Sequence, residues 1–280
     1  MKSAPFDYTR AAQGSEAIAR LSGSQGLGKP VAGGQSLGPM MNMRLAQPAL
    51  LVDVRGVPEL LHCEDTGEAV VLGAAVTHAA IEDGRVPDAT RGLMAHVAQG
   101  IAYRAVRTRG TLGGSLAHAD PAADWINVMP LLDARCIVAG PAGRREIACA
   151  AWMLGTFTTG LGEDEILVSV RIPKLSARAR WSYYKFNRKP GEFAEAISAF
   201  LDDPARGVCR AVIGALDGPP HLVANARALL EELRTSGLGA LGRAELKAAG
   251  LQAGSYEYRV HAVALSRAAH ALLVSEGGTA

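Results

Sequence analysis

Residues 109–120 read Arg109-Gly110-Thr111-Leu112-Gly113-Gly114-Ser115-Leu116-Ala117-His118-Ala119-Asp120, and an earlier stretch, Val31-Ala32-Gly33-Gly34-Gln35-Ser36-Leu37-Gly38, shares its plan. Each carries a glycine pair followed by hydroxyl or amide side chains. Glycine permits positive φ and close backbone approach, so successive N–H groups can converge on an anion, with Gln35, Ser36, Thr111 and Ser115 as added donors. Two such loops suit a ligand with two phosphates. Either glycine pair by itself also makes an ordinary tight turn, so one loop alone decides nothing.

The second loop leads to Asp120-Pro121, where aspartate can cap and proline suits a first helical turn. A helix is therefore expected from there to about Leu132, its N-terminus favouring negative charge. Working outward, the spacing predicts a helix over 15–21 capped by Ser15, strands over 30–32, 50–54 and 70–74, and a helix over 89–105. A hairpin is expected from 136–139 and 145–149 across Gly140-Pro141-Ala142-Gly143, then a strand over 165–172. Beyond a boundary within 174–180, strands are predicted over 181–186 and 208–216, and helices over 224–233, 244–251 and 256–274. The class is α+β.

Length and composition fit a two-domain globular protein: 280 residues, 49% hydrophobic and 20% charged. The 29 Lys and Arg nearly balance 27 Asp and Glu, which argues against a nucleic-acid partner needing a basic face. The opening MKSAPFDYTR has no apolar core of a leader, and the apolar stretch 69–81 is short and interrupted by Thr77 and His78. No membrane span is expected, and the location is read as cytoplasmic. Cys63, Cys136, Cys149 and Cys209 form no Cys-x-x-Cys pair and are read as reduced, mostly buried thiols; no His/Cys cluster suggests a metal. The string Gly237-Leu238-Gly239-Ala240-Leu241-Gly242 follows a helix, whereas a dinucleotide fingerprint follows a strand, so it is read as a helix-to-helix link.

Taken in order, Ala32-Gly33-Gly34-Gln35-Ser36, Gly110-Thr111-Leu112-Gly113-Gly114, Ala119-Asp120-Pro121-Ala122-Ala123-Asp124 and Glu165-Ile166-Leu167 resemble the FAD-binding subunit of molybdenum hydroxylases. The likeness is to the medium subunit of carbon monoxide dehydrogenase and to the xanthine dehydrogenase FAD-binding family. It extends over nearly the whole chain, through Lys185 and Gly191-Glu192-Phe193-Ala194. It implies a vanillyl-alcohol-oxidase-like (PCMH-type) FAD-binding domain over 1–175, in two parts of about 1–55 and 56–175. A small α+β domain over 176–280 follows.

The resemblance further implies that Ala32, Gly33, Gly34, Gln35, Ser36 and Leu37, with Thr111, Gly113, Gly114 and Ser115, hold the FAD pyrophosphate and ribityl chain. Asp124 matches a ribose-contacting carboxylate, Leu167 and Ile101 apolar flavin contacts, and Lys185 a cation near the ring. Phe193 falls where relatives set a side chain against the ring, while His118 and Asp120 lie inside the second loop. Ser115 stands where asparagine is common, and Glu192 where aspartate is. The remaining histidines, His62, His78 and His96 among them, read as structural.

No residue of this chain is then expected to act on a substrate. The resemblance implies a partner iron–sulfur subunit and a large molybdenum-cofactor subunit, assembled as a dimer of heterotrimers, with NAD, a quinone or oxygen as acceptor. The competing reading is a stand-alone FAD-dependent oxidase or reductase on the same fold.

Overall fold

In this computed structural model the described residues are 2–274. The chain opens with three short parallel strands, β1 (Asp7–Arg10), β2 (Gly28–Val31) and β3 (Leu50–Asp53), in the order β1-β3-β2. Helix α1 (Gly14–Gly23) buries Ala17 and Leu21, and α2 (Leu37–Asn42) joins β2 to β3. Because the strands run one way, their carboxyl ends share one edge, where ligands collect in open parallel sheets. The first glycine loop leaves that edge directly after Val31.

Asp53 anchors the edge from a fully buried position. Arg55 donates to both its oxygens, Nε to Oδ1 at 3.0 Å and Nη2 to Oδ2 at 2.7 Å, and the Tyr8 hydroxyl also donates to it. Burial pushes this carboxyl up, but the bonds from Arg55 and Tyr8 outweigh it and hold Asp53 well below the usual carboxylate range.

The second sheet is antiparallel, in the order β4-β5-β10-β6-β7: β4 (Cys63–Asp65), β5 (Ala69–Gly73), β10 (Ile166–Pro173), β6 (Arg135–Gly140) and β7 (Gly143–Ala148). A small ribbon, β8 (Met153–Gly155) with β9 (Thr158–Thr159), precedes the central strand β10. The connections hold α3 (Pro58–Leu61), α4 (His78–Glu82), α5 (Leu93–Gln99), α6 (Arg104–Arg107), α7 (Leu112–His118) and α8 (Asp124–Leu131). Every residue of α8 is buried, since it lies between this sheet's core and the third sheet. No helix among the described residues is long and apolar enough to cross a membrane.

The third sheet is antiparallel as well: β11 (Arg180–Phe186), β12 (Ala196–Asp203), β13 (Val208–Gly214) and β14 (His221–Leu222). On its two inner strands, Ala199, Leu201 and Val212 face the main core, while Phe200, Ala211 and Ile213 face a smaller one. That smaller core is roofed by α9 (Ala226–Thr235), α10 (Ala240–Ala248) and α11 (Tyr256–Val274).

Several sequence expectations shift. The helix predicted over 89–105 is broken into α5 and α6, because Arg91 and Gly92 take positive φ before α5, and Ala102 takes it again before α6. The helix expected from Asp120 begins four residues later, since Asp120 spends its carboxylate on the N–H of Ala122 in a turn. The second glycine loop is itself helical from Leu112, capped by Thr111. Strand β12 has no counterpart in the sequence reading: with all eight residues buried on both faces it shows no alternation. Of the four free thiols Cys136 and Cys149 are buried, their Sγ atoms 3.5 Å apart, whereas Cys63 and Cys209 are half-buried.

The Gly237–Gly242 string does link two helices. Glu232 at the end of α9 accepts the N–H groups of Gly239, Leu241 and Gly242 at 3.2, 2.9 and 2.7 Å, so the chain's own carboxylate fills the start of α10.

Candidate functional site

The two glycine loops meet backbone to backbone. A side chain at Gly33 would run into the Arg109 carbonyl, with the Gly110 Cα 2.8 Å from the added carbon. One at Gly113 would meet the Ala74 carbonyl at 2.7 Å. These glycines are therefore required by contact between segments, while Gly34 is required by its φ of +70°.

The loops differ in what they leave free. In the first, the N–H groups of Gly33, Gly34, Gln35 and Ser36 find no acceptor among the described residues; the Gln35 amide bonds the Gly33 carbonyl at 3.2 Å. Ala32, Ser36 and Leu37 are half-buried around them. In the second, the N–H of Gly113 goes to the Ala74 carbonyl, that of Gly114 to the Thr111 hydroxyl and that of Ser115 to the Thr111 carbonyl. Its free donor is a side chain: the hydroxyl of half-buried Ser115 has no partner among the described residues.

An irregularity in the central sheet aims the second loop. The register of β10 on β6 shifts between Leu167 and Ser169, and the Val168 carbonyl turns to accept the N–H of Ala74, which in turn holds Gly113. Leu167 is buried one residue before that bulge. His118 sits at the far end of α7 from Thr111, its ring 5.0 Å from that of Phe157, and burial lowers its pKa.

Asp124 and Lys185, read from the sequence as contacts to different parts of the cofactor, are joined here. Lys185 Nζ donates to Asp124 Oδ2 at 2.9 Å and to the Gly100 carbonyl at 3.2 Å, and the Tyr183 hydroxyl donates to Asp124 Oδ1 at 2.6 Å. Burial raises the Asp124 carboxyl, and Lys185 and Tyr183 draw it back only in part. Half-buried Ile101 follows Gly100. Phe193 is 60% exposed on the loop after β11, and Tyr103, 63% exposed, lies with its ring against Gly191 of that loop. Sequence reasoning missed Tyr103 and Tyr183. Tyr183 was findable, since it stands two residues before Lys185 on one strand and so shares its face.

Comparison with known proteins places this geometry. Residues 4–175 match the family described as the FAD binding domain in molybdopterin dehydrogenase. The carbon monoxide dehydrogenase medium chain of Hydrogenophaga pseudoflava is 37% identical over 196 residues, 70% of this chain and 68% of that one. The nicotine 6-hydroxylase medium subunit of Paenarthrobacter nicotinovorans is 40% identical over 62% of this chain and 60% of its own. A chain in the structure of Hydrogenophaga pseudoflava carbon monoxide dehydrogenase lacking the Mo-pyranopterin moiety superposes with a TM-score of 0.85 at 30% identity, covering 98% of this chain and 99% of that one. Quinoline 2-oxidoreductase from Pseudomonas putida 86 gives 0.81 at 28%, with 98% of each chain covered.

The fold and the paired loops define a flavoprotein of the PCMH type, and the chain belongs to the FAD-binding family of molybdopterin dehydrogenases. It is an FAD-binding subunit of the molybdenum-hydroxylase kind, an oxidoreductase component. The residues present fit that cofactor. A row of unpaired N–H groups at the carboxyl edge of a parallel sheet, closed by a second loop with a free hydroxyl, is the donor set a diphosphate needs.

Proposed function

We propose that this chain is the electron outlet of a multi-subunit molybdenum hydroxylase. An iron–sulfur subunit and a large molybdenum-cofactor subunit are its partners, in a dimer of heterotrimers working in the cytoplasm, where unpaired thiols stay reduced. Bound FAD supplies one- and two-electron chemistry, taking electrons from the iron–sulfur partner and releasing them to NAD, a quinone or oxygen. Residues 1–175, in parts of about 1–55 and 56–175, form the FAD-binding domain, and residues 176–280 the smaller C-terminal domain.

Within it, the N–H groups of residues 33–36 and the Ser115 hydroxyl hold the pyrophosphate, and Ala32, Leu37, Ile101 and Leu167 line the cofactor. Asp124 and Lys185, locked together, brace the wall of the site, and Phe193 with Tyr103 stands at its mouth. The observation that carries this reading is the contact of the two loops, with the unpaired donors of the first beside it. Purification of the native chain tests it: a large molybdenum subunit and an iron–sulfur subunit should copurify, and the isolated chain should not bleach with aldehydes or N-heterocycles. Turnover by the chain alone would favour the stand-alone oxidase.

A further inference from the structure

His78, read from the sequence as a structural histidine, lies directly behind the second glycine loop. It is 5% exposed at the start of α4, and its backbone N–H bonds the Gly110 carbonyl at 2.9 Å. Its ring faces the same residue, for a side chain on Gly110 would come within 2.9 Å of both Cδ2 and Nε2. From the other side the indole N–H of Trp125 donates to Nδ1 at 3.0 Å. A neutral imidazole with Nδ1 accepting carries its proton on Nε2, which turns that N–H toward the loop. Trp125 is itself fully buried in α8, so the ring has a fixed backing.

Five residues thus form one stack: Gly33 against Arg109 and Gly110, Gly110 against His78, His78 against Trp125. No side chain intervenes at the first two contacts, so the thickness of the stack is set by backbone and by the imidazole alone. We propose that His78 is a positioning residue for the flavin. Keyed by Trp125, its ring fixes how far the second loop stands forward against the first, and so whether the donors of both loops reach one diphosphate.

This rests on the reading of the two loops as the pyrophosphate site. The test is the FAD affinity of the full-length chain after its flavin is removed, followed by flavin fluorescence, beside the Tm of the flavin-free protein. His78→Ala should weaken FAD by about tenfold or more. His78→Asn, whose Oδ1 can take the place of Nδ1 against Trp125, should restore most of it. Leu229→Ala, in the smaller core, should lower Tm at least as far yet leave FAD affinity within about twofold.

Wild-type affinity in His78→Ala overturns the proposal, as does an equal loss of affinity in Leu229→Ala. Should His78→Ala fail to fold, Trp125→Phe removes the indole donor together with part of the ring behind the imidazole; it should weaken FAD by about threefold, and no change overturns the proposal. Gly33→Ala separates the two levels. If it loses FAD while His78→Ala does not, only the role of His78 fails; if both retain it, the loops are not the flavin site.

Discussion

Lys185 Nζ lies 2.9 Å from Asp124 Oδ2, and the two side chains are only 10% and 5% exposed. The pair ties the start of α8 to β11, and through the Gly100 carbonyl to the end of α5. Held this way, the Lys185 cation has its field largely offset by its partner.

Lys185→Met should therefore act first on stability. It leaves the Asp124 carboxylate buried with only Tyr183 as a side-chain donor, at a cost of about 3–5 kcal/mol. The double variant Lys185→Met with Asp124→Leu should recover much of that loss. Denaturant unfolding of the single and double variants measures both, and equal losses in the two would show that the pair is not the cause.

The loop contact makes a second expectation specific. Gly33→Ala and Gly113→Ala place a methyl group on backbone atoms of Arg109 and Ala74. Both should purify with little flavin, while Gly56→Ala, with open space around it, should keep a full complement. The flavin-to-protein absorbance ratio decides.

A pH dependence follows from His78. Burial, with the Arg107 charge as a lesser cause, lowers its pKa from 6.5 to about 4. Between those values the unfolded chain takes up a proton that the folded chain refuses. Stability present above pH 6.5 is thus lost as pH falls toward 4, by about 3 kcal/mol in all. His78→Asn should flatten that part of the stability profile measured by urea unfolding at stepped pH.

Glu232 offers a test away from the cofactor. Its carboxylate satisfies three N–H groups at the start of α10, so Glu232→Ala should destabilise the C-terminal helices by about 1–3 kcal/mol. FAD content should not change. Amide exchange at Gly239, Leu241 and Gly242 should rise well above that of the main core.

What the sequence by itself determined were features carried by local chemistry. Ordered glycine pairs marked both loops, apolar runs marked β3, β5 and β10, and helical spacing gave α11 at its observed limits. Gly237–Gly242 was told from a dinucleotide fingerprint by the helix before it. Tertiary structure decided the rest. Strand β12 is buried on both faces, and its last carboxylate, Asp203, is sustained by the hydroxyl and N–H of Ser176, a partner 27 positions away. The meeting of Asp124 with Lys185, and of Gly33 with Gly110, spans 61 and 77 positions. Nothing in either segment encodes its partner, because burial and chain reversal bring such groups together only once the sheets have packed.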